Sequence, residues 1–387
     1  HFIPRFLNFN RQRKLYMKCC SILNLSRSFL MRIFNKIQNK LNWSKRRYFS
    51  IIIGILALGY LSSAIYHVYK PLPKGLNFTG PLRHANVKFI ADETYIDAQG
   101  KQQLDQHIFD QVLQLIKQAK TTIVIDMFLF NSEVGDSKVQ QRELTKQLTQ
   151  ALINEKIVNP SLEIKFITDP INSVYGGIQP EQYRQLRLGG IDVIETNLTP
   201  LRASNPTWSG IWYLCCQDIG NNPNKGWLNN PFGKEKITVR SYLNLFNFKA
   251  NQRKTMVVDT AEGWKTIVTS ANPHDGSSRH SNIALMVDGA TATDILNTEQ
   301  TVAHMSGGDT PFVAFGKLPE KPNDPQVQVL TEKASYDVVL NMLASAKAND
   351  QIDLAMFYLS ERQIVKGLVA AKQRGVKLRI LLDPNKD

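Results

Sequence analysis

"TTIVIDMFLF", residues 121–130, and "QIDLAMFYLS", residues 351–360, decide how this chain folds. Each is a short apolar run rich in β-branched and aromatic residues, which predicts a buried strand. Each carries a Met-Phe pair, Met127-Phe128 and Met356-Phe357. Working outward from the first, residues 87–91 read as a strand and 106–119 as an amphipathic helix with Ile108, Val112, Leu115 and Ile116 on its apolar side. A second helix over 141–154 leads to the strand "LEIKFITDP", which ends in Asp169-Pro170. Working outward from the second, "VQVL" precedes a helix through "SYDVVLNMLASAKA", and another helix leads to "VKLRILLDP" with Asp383-Pro384. The same elements return in the same order with the same landmarks, which is an internal repeat. The expected fold is therefore a duplicated α/β sandwich, with helices on both faces of its sheet. Its first copy spans 87–320, lengthened by an insertion around 133–160, and its second begins at 321–387. The offset of 229 residues between Met127 and Met356 puts the counterpart of Lys254 near position 483, so the second repeat is expected to be incomplete over residues 1–387.

Ahead of the repeats the charge is uneven. Of 47 Lys and Arg, twelve lie in residues 1–48, where there is no Asp or Glu, so the remainder has 35 basic against 33 acidic side chains. A near-neutral body argues against a large nucleic-acid groove and assigns the tail a local electrostatic task. Lys45-Arg46-Arg47 is followed by "YFSIIIGILALGYLSSAIYHVY", which has membrane-spanning length over 49–69. The basic flank on its N-terminal side predicts a cytoplasmic tail (1–48), a single pass through the cell inner membrane, a linker (70–86) and an α/β domain outside the cytoplasm. A cleavable signal peptide ending in "LSSA" is the competing reading. Leu30, Ile33, Phe34, Ile37 and Leu41 stand at helical spacing among basic residues, which suits a helix lying on anionic lipid or a solvated tail. The chain opens on His1, and Met17 or Met31 is a candidate start. Cys19-Cys20 and Cys215-Cys216 are adjacent pairs without zinc-site spacing, and sequence neighbours seldom bridge, so incidental or structural roles are expected.

Chemistry concentrates in "FKANQRKTMVVD", residues 248–259, and "TSANPHDGSSRHSN", residues 269–282. A Lys ammonium, a hydroxyl and an amide gathered at strand ends can surround a phosphate with donors and stabilise its oxygens during transfer. Lys-x4-Asp alone is a weak signal; here it joins Ser-x-Asn at the end of the next strand. Together the two stretches resemble the phospholipase D superfamily, whose signature is His-x-Lys-x4-Asp followed by Gly-Ser-x-Asn, once in each of two repeats. The resemblance covers roughly residues 85–387 and points in particular to bacterial phosphatidylserine, phosphatidylglycerophosphate and cardiolipin synthase-like members.

That resemblance implies a phosphodiesterase or phosphatidyltransferase acting on phospholipids, in which one histidine attacks phosphorus and a second protonates the leaving oxygen. Carried over by position, Lys254, Ser270 and Asn272 would bind phosphate, Asp259 matches the motif's aspartate, and Thr269 stands where glycine is usual. Gln252 occupies the position of the catalytic histidine. A carboxamide has no basic nitrogen to attack phosphorus or move a proton, so the chain is expected to be inactive as given. Recent loss, a sequence error and a retained non-catalytic phosphate site all account for it. His274 and His280 are candidate substitutes or supporting residues near the mouth of the site.

The remaining residues are read more plainly. By strand alternation Arg253 faces away from Lys254. Arg240 and Lys249 are read as solvated charges that could support an anionic headgroup, and Asp275, Gly276 and Ser277 as turn chemistry. His84 and His107 have no partners at ligand spacing, so no metal site is expected and no cofactor is demanded. "GNNPNKGWLNNPFG" is a loop whose Trp227 and Phe232 either dip into lipid or pack on the domain. The expected partners are a phospholipid substrate and a membrane, not nucleic acid; oligomeric state and headgroup preference are not legible. An anionic-lipid-binding pseudoenzyme and a nuclease stand as alternative functions.

Overall fold

The structure is a computed structural model and describes residues 44–135, 138–308 and 320–383. The chain divides between Ser62 and Ser63 into two units. Most of the basic tail, with Leu30 to Leu41 and Cys19-Cys20, lies outside the described residues, as does Pro384.

The apolar run forms one helix, α1 (Lys45–Tyr69), long and apolar enough to cross a membrane. At 1.5 Å per residue it is about 37 Å long, against roughly 30 Å of bilayer hydrocarbon. Phe49, Ile55, Leu56, Leu58 and Ile65 along it are exposed.

In chain order the second unit continues with β1 (Arg83–His84), β2 (Val87–Ile96), β3 (Gln102–Asp105), α2 (Ile108–Ile116), β4 (Thr122–Met127), α3 (Leu144–Val158), β5 (Glu163–Thr168), α4 (Glu181–Leu188) and β6 (Asp192–Glu195). After these come α5 (Pro206–Cys215), the short pair β7 (Leu228–Asn229) and β8 (Lys236–Ile237), and α6 (Val239–Leu245). Next are β9 (Lys254–Thr260), β10 (Gly263–Thr269), β11 (Asn282–Asp288) and α7 (Ala290–Met305). Last are β12 (Gln326–Val327), α8 (Lys333–Ser345), β13 (Gln351–Met356), α9 (Arg362–Gln373) and β14 (Lys377–Leu382).

Eight strands make one sheet in the order β3-β2-β11-β10-β9-β4-β5-β6. The β4, β5 and β6 end is parallel and the rest antiparallel. Strand alternation gives each face its own core. Ile123, Ile125, Met127, Met256 and Val258 pack with Ile108, Leu148 and Leu186 of α2, α3 and α4. Val124, Ile167, Ile194 and Val257 pack on Ala292, Leu296 and Val302 of α7. The sheet thus has helices on both faces, as the periodicity requires.

Strands β13 and β14, in the stretch read as a second copy, form a separate two-stranded sheet and pair in parallel as β4 and β5 do. The registers correspond: Met127 sits opposite Thr168, just before Asp169, and Met356 opposite Leu382, just before Asp383. The stretch read as a linker is not free chain. Its residues Arg83 and His84 pair with Val327 and Gln326, and Thr79 bridges to Leu330.

Candidate functional site

The site is built where β4 ends and β9 begins. Met127 pairs with Lys254 across these strands, and the Phe128 N–H donates to Arg253 O at 3.1 Å. Lys254 therefore emerges at the C-terminal edge of the parallel strands, with its ammonium 5.2 Å from the centre of the Phe128 ring. Its Nζ donates to the carbonyl two residues back, Gln252 O, at 2.9 Å. Among the described residues no carboxylate lies within ion-pair distance of Lys254. Burial lowers its pKa, and the field of Asp126 partly opposes that.

β10 brings the second element of the motif alongside, since Thr255 pairs with Val268. The chain then turns out of the sheet: Thr269 Oγ1 accepts from Ala271 N and donates to Ile283 O. The hydroxyl at the position where glycine is usual thus holds this turn. Ser270 is exposed; its Oγ donates to Asn282 Oδ1 at 2.9 Å and accepts from Ile283 N at 3.0 Å. Asn272 Oδ1 accepts from Leu129 N at 3.1 Å. Leu129 directly follows Phe128, so Lys254 and Asn272 both meet the chain just past the end of β4.

Asp259 is not brought to this edge. Five residues of strand, about 17 Å, separate it from Lys254. Its carboxylate accepts from Thr121 N, Thr122 N and Thr121 Oγ1, tying β9 to the start of β4. It is a backbone clamp. Gln252 is exposed beside Lys254. His274 is half-buried, with Nδ1 3.1 Å from Ser277 Oγ, and burial lowers its pKa. His280 lies exposed in the same loop. Among the described residues neither ring hydrogen-bonds the side chains of Lys254, Ser270 or Asn272.

Other expectations change. Arg253 does face away from Lys254: its guanidinium meets Thr298 and Glu299 of α7. Lys249, read as a solvated charge, is 4 % exposed, because its ammonium donates to Leu201 O at 2.7 Å and Tyr213 Oη at 2.8 Å. Arg240 stacks over Trp212 and donates to Gln217 O. Cys215 and Cys216, expected not to bridge, are joined in a disulfide where α5 ends and Cys216 leaves helical geometry. Among the described residues no group of three His, Cys, Asp or Glu side chains is arranged to hold a metal.

Behind the site lies a buried polar cluster that motif reading missed. Asn251 Nδ2 donates to both oxygens of Asp126, at 3.0 and 2.8 Å, and to Thr196 Oγ1, while its N–H donates to Asp169 Oδ2 at 2.6 Å. Burial, with Glu299 next to it, pushes the Asp126 carboxyl well above the usual range. Burial likewise pushes Asp169 up to about 7, against the two N–H groups that it accepts from. These bonds fix the backbone from which Gln252 and Lys254 project. The available signal was Asp126 itself, an acid inside an otherwise apolar strand.

Residues 339–387 match the family model described as cardiolipin synthase, phospholipase D-like domain. No curated protein matches the chain. Among solved structures it is similar to a phospholipase D family member, Nuc, from Salmonella typhimurium (13 % identity, TM-score 0.31, covering 57 % of this chain and 95 % of that one). It is also similar to NucT from Helicobacter pylori (11 %, TM-score 0.30, 57 % and 98 %). A third is phosphatidylserine synthase from Haemophilus influenzae (10 %, TM-score 0.42, 82 % and 65 %).

Proposed function

We propose, from the match of residues 339–387 to a phospholipase D-like domain, that this chain is a phospholipase D-like protein in which the edge formed by Lys254, Ser270 and Asn272 holds the phosphoryl group of a phospholipid without cleaving it. The observation that carries this reading is the Lys254 ammonium: partly desolvated, with one carbonyl partner and no paired carboxylate among the described residues. A cation so placed is satisfied by an anion, and charge-assisted hydrogen bonds to phosphate oxygens are the strong kind. The family's reaction forms a nitrogen–phosphorus bond as the leaving oxygen departs with a proton, then breaks it with water or an alcohol. Gln252 offers an amide nitrogen whose lone pair is delocalised, so the first bond cannot form at this position.

The expected setting is the cell inner membrane, α1 spanning it, the tail cytoplasmic and the α/β body outside the cytoplasm. A disulfide at Cys215-Cys216 fits an oxidising compartment.

The test uses the full chain in detergent micelles with short-chain phosphatidylglycerol. Lys254→Ala is expected to weaken binding by about tenfold or more, with no glycerol released by the parent chain. Headgroup release at the parent's Gln252 site would overturn the proposal. Nicking of plasmid DNA at low salt would favour the nuclease alternative.

A further inference from the structure

We infer that the surface formed by α5, α6 and Phe248 is a membrane-docking patch that seats the α/β body on an anionic bilayer. The inference rests on the proposed membrane-spanning role of α1. Trp208, Tyr242 and Phe246 make one run of ring contacts: Trp208 meets Phe246 edge-on at 5.7 Å, and Phe246 meets Tyr242 at 5.8 Å. Tyr242 and Phe246 are nonetheless exposed on their outer sides, as are Ile211 and Leu214 of α5. Phe248 is 66 % exposed and held at φ 50°, a left-handed backbone that a bulky side chain rarely adopts. A strained backbone that presents an apolar ring to solvent calls for something to receive the ring.

What receives it is indicated by the patch's neighbours. The last turn of α1, within the second unit, is fastened to this same segment. The His67 ring stacks on Tyr213 of α5 with centroids 3.7 Å apart, and Ala203 N donates to His67 O. Lys70 Nζ donates to Thr199 O, and Lys249, next to Phe248, reaches Tyr213 Oη. The helix α5 that carries part of this surface is thus joined through Tyr213 to the place where the apolar helix ends, and at such a place Trp and Tyr characteristically sit at the headgroup level. Charge agrees. Leaving out the buried Lys249, residues 201–250 contain Arg202, Lys225, Lys234, Lys236 and Arg240 against Asp218 and Glu235 only, although the chain beyond residue 48 is nearly neutral. A segment that is basic on balance and carries exposed aromatic rings complements anionic lipid.

The test places the full chain in phosphatidylglycerol-rich vesicles carrying a lipid with a photoactivatable acyl chain, and maps labelled peptides by mass spectrometry. Labelling is expected in 45–69 and in 206–248. Phe248→Gly removes the ring and relieves the positive φ, so it preserves or raises the melting temperature; with Phe246→Ser it should cut labelling of 206–248 about threefold or more while 45–69 is unchanged. Labelling confined to 45–69, or unaltered in the double variant, overturns the patch and leaves the helix assignment standing. No labelling of either segment overturns both.

Discussion

Under the proposed reading, a glutamine at the position where the phospholipase D signature has histidine separates holding a phosphoryl group from attacking it. Gln252→His supplies one imidazole to a displacement that uses two, a nucleophile and an acid. Headgroup release by this variant is expected to stay at background in a phosphatidylglycerol assay; turnover would show that one imidazole suffices. The groundwork for Lys254 is laid one layer deeper, by Asn251. Asn251→Ala leaves the buried Asp126 carboxyl and Thr196 without their shared donor, at a cost of about 2–4 kcal/mol. Chemical denaturation of the variant checks this. None of this cluster could be read from Lys-x4-Asp and Ser-x-Asn, because its members, Asp126, Asp169, Thr196 and Asn251, meet only when β4, β5, β6 and the start of β9 are side by side.

At the scale of elements, β9 works at both ends in different ways. Its start presents Lys254 to the open edge; its far end is anchored by Asp259 to Thr121 and Thr122. Asp259→Ala is therefore expected to lower stability by about 1–3 kcal/mol while phosphate affinity is unchanged. A calorimetric melt and a phosphate titration on the same sample separate the two. Helix boundaries were legible only to within a few residues, for a physical reason. α2 begins at Ile108, not 106, where Asp92 of β2 accepts from His107 N and Ile108 N. α3 begins at Leu144, not 141, and Asp275 Oδ1 accepts from Thr145 N. Both helix starts are capped by aspartates distant in sequence, which local pattern cannot supply.

Across the whole molecule, the first Met-Phe run located β4 of the eight-stranded sheet and the second located β13 of a separate two-stranded sheet, and the registers of β4–β5 and β13–β14 correspond. The antiparallel addition of β11, β2 and β3 at one side, and the burial of Lys249 beside Lys70, were not visible. The latter has a consequence for the whole fold's pH response. Burial, then the Lys70 charge, lowers Lys249 from 10.5 to about 7. Between these values the unfolded chain holds a proton that the native chain lacks, so stability rises with pH across about 7 to 10.5. Below that window the native state bears the full cost of the buried charge. Lys249→Met should flatten that rise in a series of denaturant melts; an unchanged slope would place the titration elsewhere.

Whether the edge at Lys254 receives a phosphoryl group is tested most directly by anomalous scattering from crystals soaked in tungstate, a phosphate mimic with a strong signal. The expected peak lies within about 3 Å of Lys254 Nζ and beside Asn272, and vanishes in Lys254→Ala. A parent crystal with tungstate bound elsewhere and nothing at Lys254 would contradict it.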